Sequence, residues 1–107
     1  MKRTYNKLVR DRIPEIIEAK GEKPVTKILT DEEYWSSLFE KALEELDEVK
    51  TADDLDETKK ELADLLEVVR AMAEHKGFSL SEIIEEADRK ASERGKFENK
   101  IYLIGVK

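Results

Sequence analysis

No cysteine occurs anywhere in the chain, which excludes a disulfide framework and any thiolate-held metal. Glutamine is missing too, and histidine occurs once, so His75 has no second imidazole with which to build a site. His75 reads as a helix C-terminal residue. Long apolar runs are also lacking. No stretch approaches the ~20 residues of a membrane span, and Met1-Lys2-Arg3 leads into polar sequence, not into a signal-peptide core. The expectation is a soluble, cytoplasmic protein with no membrane partner. Basic charge is in deficit: the net charge of −6 disfavours a nucleic-acid polymer as partner, because phosphate backbones reward basic surfaces. A small phosphorylated ligand remains open, provided that metal ions or a local basic cluster meet its charge. The missing glutamine, with abundant Glu and Lys, fits a protein built for high temperature.

What is present is charge and helical periodicity. Charged residues make up 43% of the 107 residues against 39% hydrophobic, so the core must come from narrow helical stripes within a single domain, residues 1–107. A short first helix is expected from about Arg12 to Lys20, with Pro14 in its opening turn and Gly21 as its stop. "KPVTKIL" then reads as an extended segment carrying Val25, Ile28 and Leu29. Thr30 with Glu33 forms a capping box that opens a long helix to about Lys50. Its Trp35, Leu38, Phe39, Ala42, Leu43, Leu46 and Val49 make one apolar stripe. After the turn "TADDLDE", a second long helix spans residues 55–75 and is closed by Gly77. Ser79 with Glu82 starts a third main helix that ends at Gly95. The tail "KIYLIGV" is apolar and β-favouring; it either pairs with residues 25–29 as a small two-stranded ribbon or swaps onto a partner subunit. The fold class is all-α.

The acids are placed unusually. In "KKELADLLEVV", Leu62, Leu65, Leu66 and Val69 describe one buried face. Stepping about 100° per residue, Glu61 falls between Leu65 and Val68, and Asp64 lies beside Val68 on its other side. The preceding helix carries "EELDE", with Glu44, Glu45 and Glu48 able to reach one flank and Glu45 bordering the apolar stripe. If the two helices pack antiparallel, both acidic sets converge. Such a cluster repels itself unless divalent cations neutralise it. Hard oxygen donors without Cys or His suit Mg²⁺ or Mn²⁺. The plainer reading of any acidic run is a solvated helix face, and it applies better to "EELDE" alone than to Glu61 with Asp64, which flank apolar positions.

A basic set lies downstream. Leu80, Ile83 and Ala87 define a stripe on the third main helix, and continuing it reaches Lys90 and Arg94, with Lys96 just beyond in "RGKF". Phosphate recognition uses such clusters; the alternative is a frayed helix end whose cations complement the macrodipole. "KLVRDR" offers Lys7, Arg10 and Arg12 as a second basic patch.

"EELDE", twelve residues, then "ELAD" resembles the E-E-x-x-E … E-x-x-D pattern of the all-α MazG-like nucleotide pyrophosphohydrolases. Lys90 and Arg94 are similar to that superfamily's downstream cations. "YNKLVRDRIPEIIEAKG" and "SERGKFENKI" look like its small phosphoribosyl-ATP pyrophosphohydrolase-like branch. The resemblance implies Mg²⁺-dependent hydrolysis of a nucleoside triphosphate between the α and β phosphates, yielding a monophosphate and pyrophosphate. It implies Glu45, Glu48, Glu61 and Asp64 as metal ligands, with Glu44 an auxiliary acid and one of Glu44, Glu45 or Glu48 acting on the attacking water. Lys90, Arg94 and Lys96, with Lys7 and Arg10, would hold phosphates. It also implies a helical bundle completed by homo-oligomerisation, as a dimer or tetramer. Tyr34, Trp35 or Phe97 could meet a base, although Tyr34 and Trp35 suit core or subunit contacts better. Within this chemistry the substrate is a housecleaning nucleotide or, alternatively, phosphoribosyl-ATP of histidine synthesis. A non-catalytic helical interaction module is the reading from a different class. A di-iron bundle is rejected for want of Glu-x-x-His pairs.

Overall fold

The computed structural model describes residues 3–107; Met1 and Lys2, the start of the segment read above as unlike a signal peptide, lie outside the described residues. Helices follow where capping chemistry directs them. α1 (Ile13–Ala19) opens on Pro14, whose missing N–H costs nothing in a first turn. α2 (Asp31–Thr51) begins at the expected capping box: Thr30 Oγ1 accepts from the Glu33 backbone N–H at 3.2 Å, and Glu33 Oε1 accepts from the Thr30 N–H at 3.0 Å. α3 (Leu55–His75) starts on Asp54, which accepts from the Glu57 N–H at 2.8 Å. It ends in a Schellman turn, with Phe78 N–H donating to the Ala73 carbonyl at 2.9 Å and Gly77 N–H to that of Glu74 at 3.1 Å. Gly77 takes φ +91°, which an L side chain resists, so a glycine is needed there. α4 (Leu80–Arg94) is capped by Ser79.

Residues 52–54 alone join α2 to α3, so the two long helices form an antiparallel hairpin. The start of α2 meets the end of α3: the His75 ring stacks on Trp35 at 5.6 Å and meets Tyr34 edge-on at 5.2 Å. Lys76 lies over the Trp35 ring at 4.2 Å. Tyr34, Trp35 and His75 therefore serve packing at the open end of the hairpin, whereas Phe97 is fully exposed.

The seam between the helices differs from the stripes read in the sequence. On α2 the residues turned to α3 are Trp35, Leu38, Ala42, Glu45 and Val49, alternating three and four apart; on α3 they are Thr58, Glu61, Leu65, Val68, Met72 and His75. Among the described residues only Leu38, Val68 and Ala73 are buried and apolar. Phe39, Leu43 and Leu46 of α2, expected in the core, are about half exposed or more, as are Leu62 and Leu66 of α3. They form a second apolar face that the hairpin leaves uncovered.

α4 packs on α3 lightly; Leu80 and Ile83 are half-buried while Ala87 is exposed, so the stripe expected to lead to Lys90 and Arg94 is not buried throughout within the chain. The expected ribbon is also absent: among the described residues there is no strand, and Ile28, Ile101, Tyr102 and Ile104 are all more than four-fifths exposed. β-favouring composition needs a partner edge and an apolar surface to lie against, and the hairpin offers neither at that position. The radius of gyration is 18.0 Å, against about 13 Å for a compact domain of this length. No helix among the described residues is long and apolar enough to cross a membrane.

Candidate metal centre and active site

Two seam positions near the closed end of the hairpin carry glutamate where apolar residues would pack. Glu45 is 5% exposed, the only buried charged residue among those described. It does not border the α2 stripe, as the sequence had suggested, but occupies the seam itself. Across it stand Glu61 and Asp64 of α3. One carboxylate oxygen from each of Glu45, Glu61 and Asp64 lies within 4.8 Å of the others. Glu48, one turn on from Glu44 and Glu45, adds a fourth carboxylate that neighbours both Glu45 and Glu61.

The electrostatics show that the cluster is under-compensated. Glu45 Oε2 and Glu61 Oε2 are buried with no hydrogen-bond partner. An orphaned buried acceptor costs roughly 1–3 kcal/mol, and each one calls for an explanation. Burial, followed by the adjacent Glu48 carboxylate, pushes the Glu45 carboxyl above its usual range. For Glu61 the order is reversed. Hydrogen bonding to Glu48 comes first and desolvation second, and together they raise its pKa from 4.5 to about 7.

Cations gather at the rim. Lys41, on α2 one turn before the acids, sits 3.3 Å from Glu44 and 3.5 Å from Glu45. The segment before α1 brings two more: Lys7 Nζ donates to Glu44 Oε1 at 3.0 Å, and Arg10 Nη2 donates to Asp64 Oδ1 at 2.7 Å. These pairs hold the Glu44 carboxyl below its usual range, the Lys7 hydrogen bond contributing most. Lys41 was not singled out from the sequence, because a lysine three and four residues from glutamates is ordinary on a helix surface. An open, acid-lined cavity adjoins the cluster, walled by Glu48, Asp53, Asp54, Glu57 and Glu61.

The donor set fits a hard divalent cation. All ligand atoms are carboxylate oxygens, Glu45 Oε2 and Glu61 Oε2 are buried without a hydrogen-bond partner, and the opposed helices fix the spacing. The structure therefore brings together Glu44, Glu45, Glu48, Glu61, Asp64, Lys7 and Arg10. It does not bring Lys90, Arg94 and Lys96 to them. All of these are exposed, Lys96 pairs with Glu98 at 3.9 Å, and among the described residues none forms an ion pair with the acids. Arg94 and Lys96 instead line a separate open cavity with Phe97 and Lys100.

Comparison with known proteins adds to this geometry. The family model for phosphoribosyl-ATP pyrophosphohydrolase matches residues 4–91, a span that takes in the pre-α1 segment, the acids and Lys90 but stops short of Arg94 and Lys96. Over 49 residues the chain is 53% identical to an uncharacterized protein of Mycolicibacterium smegmatis, covering 46% of this chain and 50% of that one. The chain thus spans about half the length of that relative. No solved structure matches.

Proposed function

This chain belongs to the phosphoribosyl-ATP pyrophosphohydrolase family, within the MazG-like superfamily, and from that premise we propose that it is a metal-dependent nucleotide pyrophosphohydrolase acting on an acid anhydride. It hydrolyses a nucleoside triphosphate between the α and β phosphates, releasing a monophosphate and pyrophosphate, in the service of clearing unwanted nucleotides from the pool. The observation that supports this reading most is Glu45: a buried carboxylate with an unpartnered oxygen, facing Glu61 and Asp64 across a helix seam.

Glu45, Glu48, Glu61 and Asp64 would hold Mg²⁺, or Mn²⁺ in its place. Once bound, such an ion would supply positive charge against the phosphate oxygens and lower the pKa of a water at the site. One of Glu44, Glu45 or Glu48 accepts a proton from the attacking water; Glu48 lining the open cavity supports this role for it. Lys7 and Arg10 meet phosphate oxygens at the rim, and Lys90, Arg94 and Lys96 supply further positive charge. The uncovered face of Phe39, Leu43, Leu46, Leu62 and Leu66 supports assembly as a homodimer or homotetramer, because three buried apolar residues make a thin core for one copy.

Phosphoribosyl-ATP is the second substrate reading, favoured by the family model's own description. It presents the same scissile bond, so the site chemistry is shared. Incubation with Mg²⁺ and a panel of NTPs, dNTPs and phosphoribosyl-ATP, with products separated by chromatography, tests both. Monophosphate and pyrophosphate lost on chelation, and in Glu48→Gln and Asp64→Asn, would support the reading and identify the substrate. No turnover anywhere, with Mg²⁺ failing to raise the melting temperature, would overturn it in favour of an interaction module.

A further inference from the structure

Lys7 and Arg10 belong to a segment with no regular secondary structure, yet both reach the acids. Leu8, between them in the sequence, is half-buried. Arg3 ties its beginning to Glu22. Lys7 meets Glu44 and Arg10 meets Asp64, and all four side chains are substantially open to solvent: 42% and 32% exposed in the first pair, 56% and 41% in the second. Ion pairs of that exposure contribute little, so solvent or a competing charge breaks them readily. Lys41 differs. Its side chain is 20% exposed and is held against Glu44 and Glu45 by the turn of its own helix.

Asp64 makes these weak contacts consequential. Its Oδ1 accepts from Arg10 while the same carboxylate contributes to the cluster facing Glu45 and Glu61. A guanidinium and a divalent cation compete for that carboxylate's negative charge. Phosphate oxygens drawn to a cation at Asp64 arrive beside Arg10, whose planar fork suits them better than a single carboxylate oxygen.

We propose that Lys7 and Arg10 are exchangeable counter-ions. They neutralise Glu44 and Asp64 while the acid cluster is empty of metal, and they pass from carboxylate to phosphate when a metal-bound nucleotide enters. Lys41 stays in place throughout and keeps Glu44 paired. The two pre-α1 cations therefore oppose metal binding by itself and favour it together with the polyphosphate, which discourages loading of the site without substrate. This rests on the metal-dependent reading proposed above.

The experiment is a pair of calorimetric titrations on the parent, on Lys7→Met/Arg10→Met, and on Arg89→Met, which removes a charge engaged only with Glu86 and Glu93 on α4. Helicity checked by circular dichroism should match in all of them, since both targeted side chains are exposed. In Mn²⁺ titrations without nucleotide, the double variant should bind several-fold more tightly than the parent, with Arg89→Met unchanged. At saturating Mn²⁺, an ATP analogue with a methylene between the α and β phosphorus atoms should bind the double variant at least ten-fold more weakly. A purely structural role would weaken both. Unchanged or weaker Mn²⁺ binding by the double variant, or undiminished analogue binding, overturns the exchange while leaving the metal site standing. No saturable Mn²⁺ binding by the parent removes the metal site and the exchange together.

Discussion

Glu48 of α2 stands beside Glu61 of α3 across the hairpin, and that neighbouring carboxylate is the largest cause of the raised Glu61 pKa. Between about 4.5 and about 7 the folded, metal-free protein holds a proton at Glu61 that the unfolded chain has released. The contribution to stability is full below the lower value and is lost as pH rises through the upper one. Metal-free protein should therefore melt at a higher temperature at pH 5 than at pH 8. Glu61→Gln should flatten that slope, read by thermal denaturation in chelator.

Glu45 separates stability from function. Replacing it with leucine removes an orphaned buried carboxylate and continues the seam of Leu38 and Ala42. Lys41, which Glu45 leaves behind, keeps Glu44 as its partner, so exchanging the buried carboxylate for apolar packing should be neutral or stabilising. Urea unfolding of Glu45→Leu without metal should show a raised midpoint, while Mn²⁺ binding falls below detection. A destabilised variant would show that the carboxylate is satisfied in a way the seam does not reveal.

The uncovered apolar face predicts association. The parent should sediment above the monomer mass of 12.4 kDa, and Leu43→Lys/Leu66→Lys should move it to monomer with a lower melting temperature. Leu43 is 67% exposed and Leu66 46%, so neither substitution buries a charge within one copy.

Lys90 and Arg94 are exposed, and among the described residues neither pairs with the acids. If they hold phosphates, Lys90→Ala/Arg94→Ala should leave Mn²⁺ affinity within two-fold of the parent and raise KM by roughly 10–100-fold, the range expected for lost charge-assisted hydrogen bonds. Steady-state kinetics beside Mn²⁺ titration separates this from the behaviour expected of Lys7 and Arg10. Equal KM values would remove the α4 cations from the site.

Helix limits were legible because they are written in local chemistry: Thr30 with Glu33, Asp54, Ser79 and Gly77 each act within one turn of the chain. The acidic convergence was legible too, since a short connection between two helices of equal length leaves little freedom. The seam was not. The apolar positions of α2 exceed what one neighbouring helix can cover, and periodicity does not say which of Leu38 and Leu43 is covered by the same chain. Glu45 consequently read as a border residue although it lies inside. Nor did composition reveal that "KIYLIGV" would form no ribbon with residues 25–29, because a strand is made by its neighbour as much as by its own residues.

The three-residue link between α2 and α3 also bears on how the molecule folds. Glu45 and Asp64 are separated by fewer than about twenty residues of chain, and closing a loop of that size is among the quickest steps of folding. Like charges are therefore forced together at the outset, when little apolar burial has accumulated to offset them. Repulsion among those carboxylates should then slow the first collapse, and acid pH or millimolar Mg²⁺, either of which lessens it, should speed refolding of the hairpin.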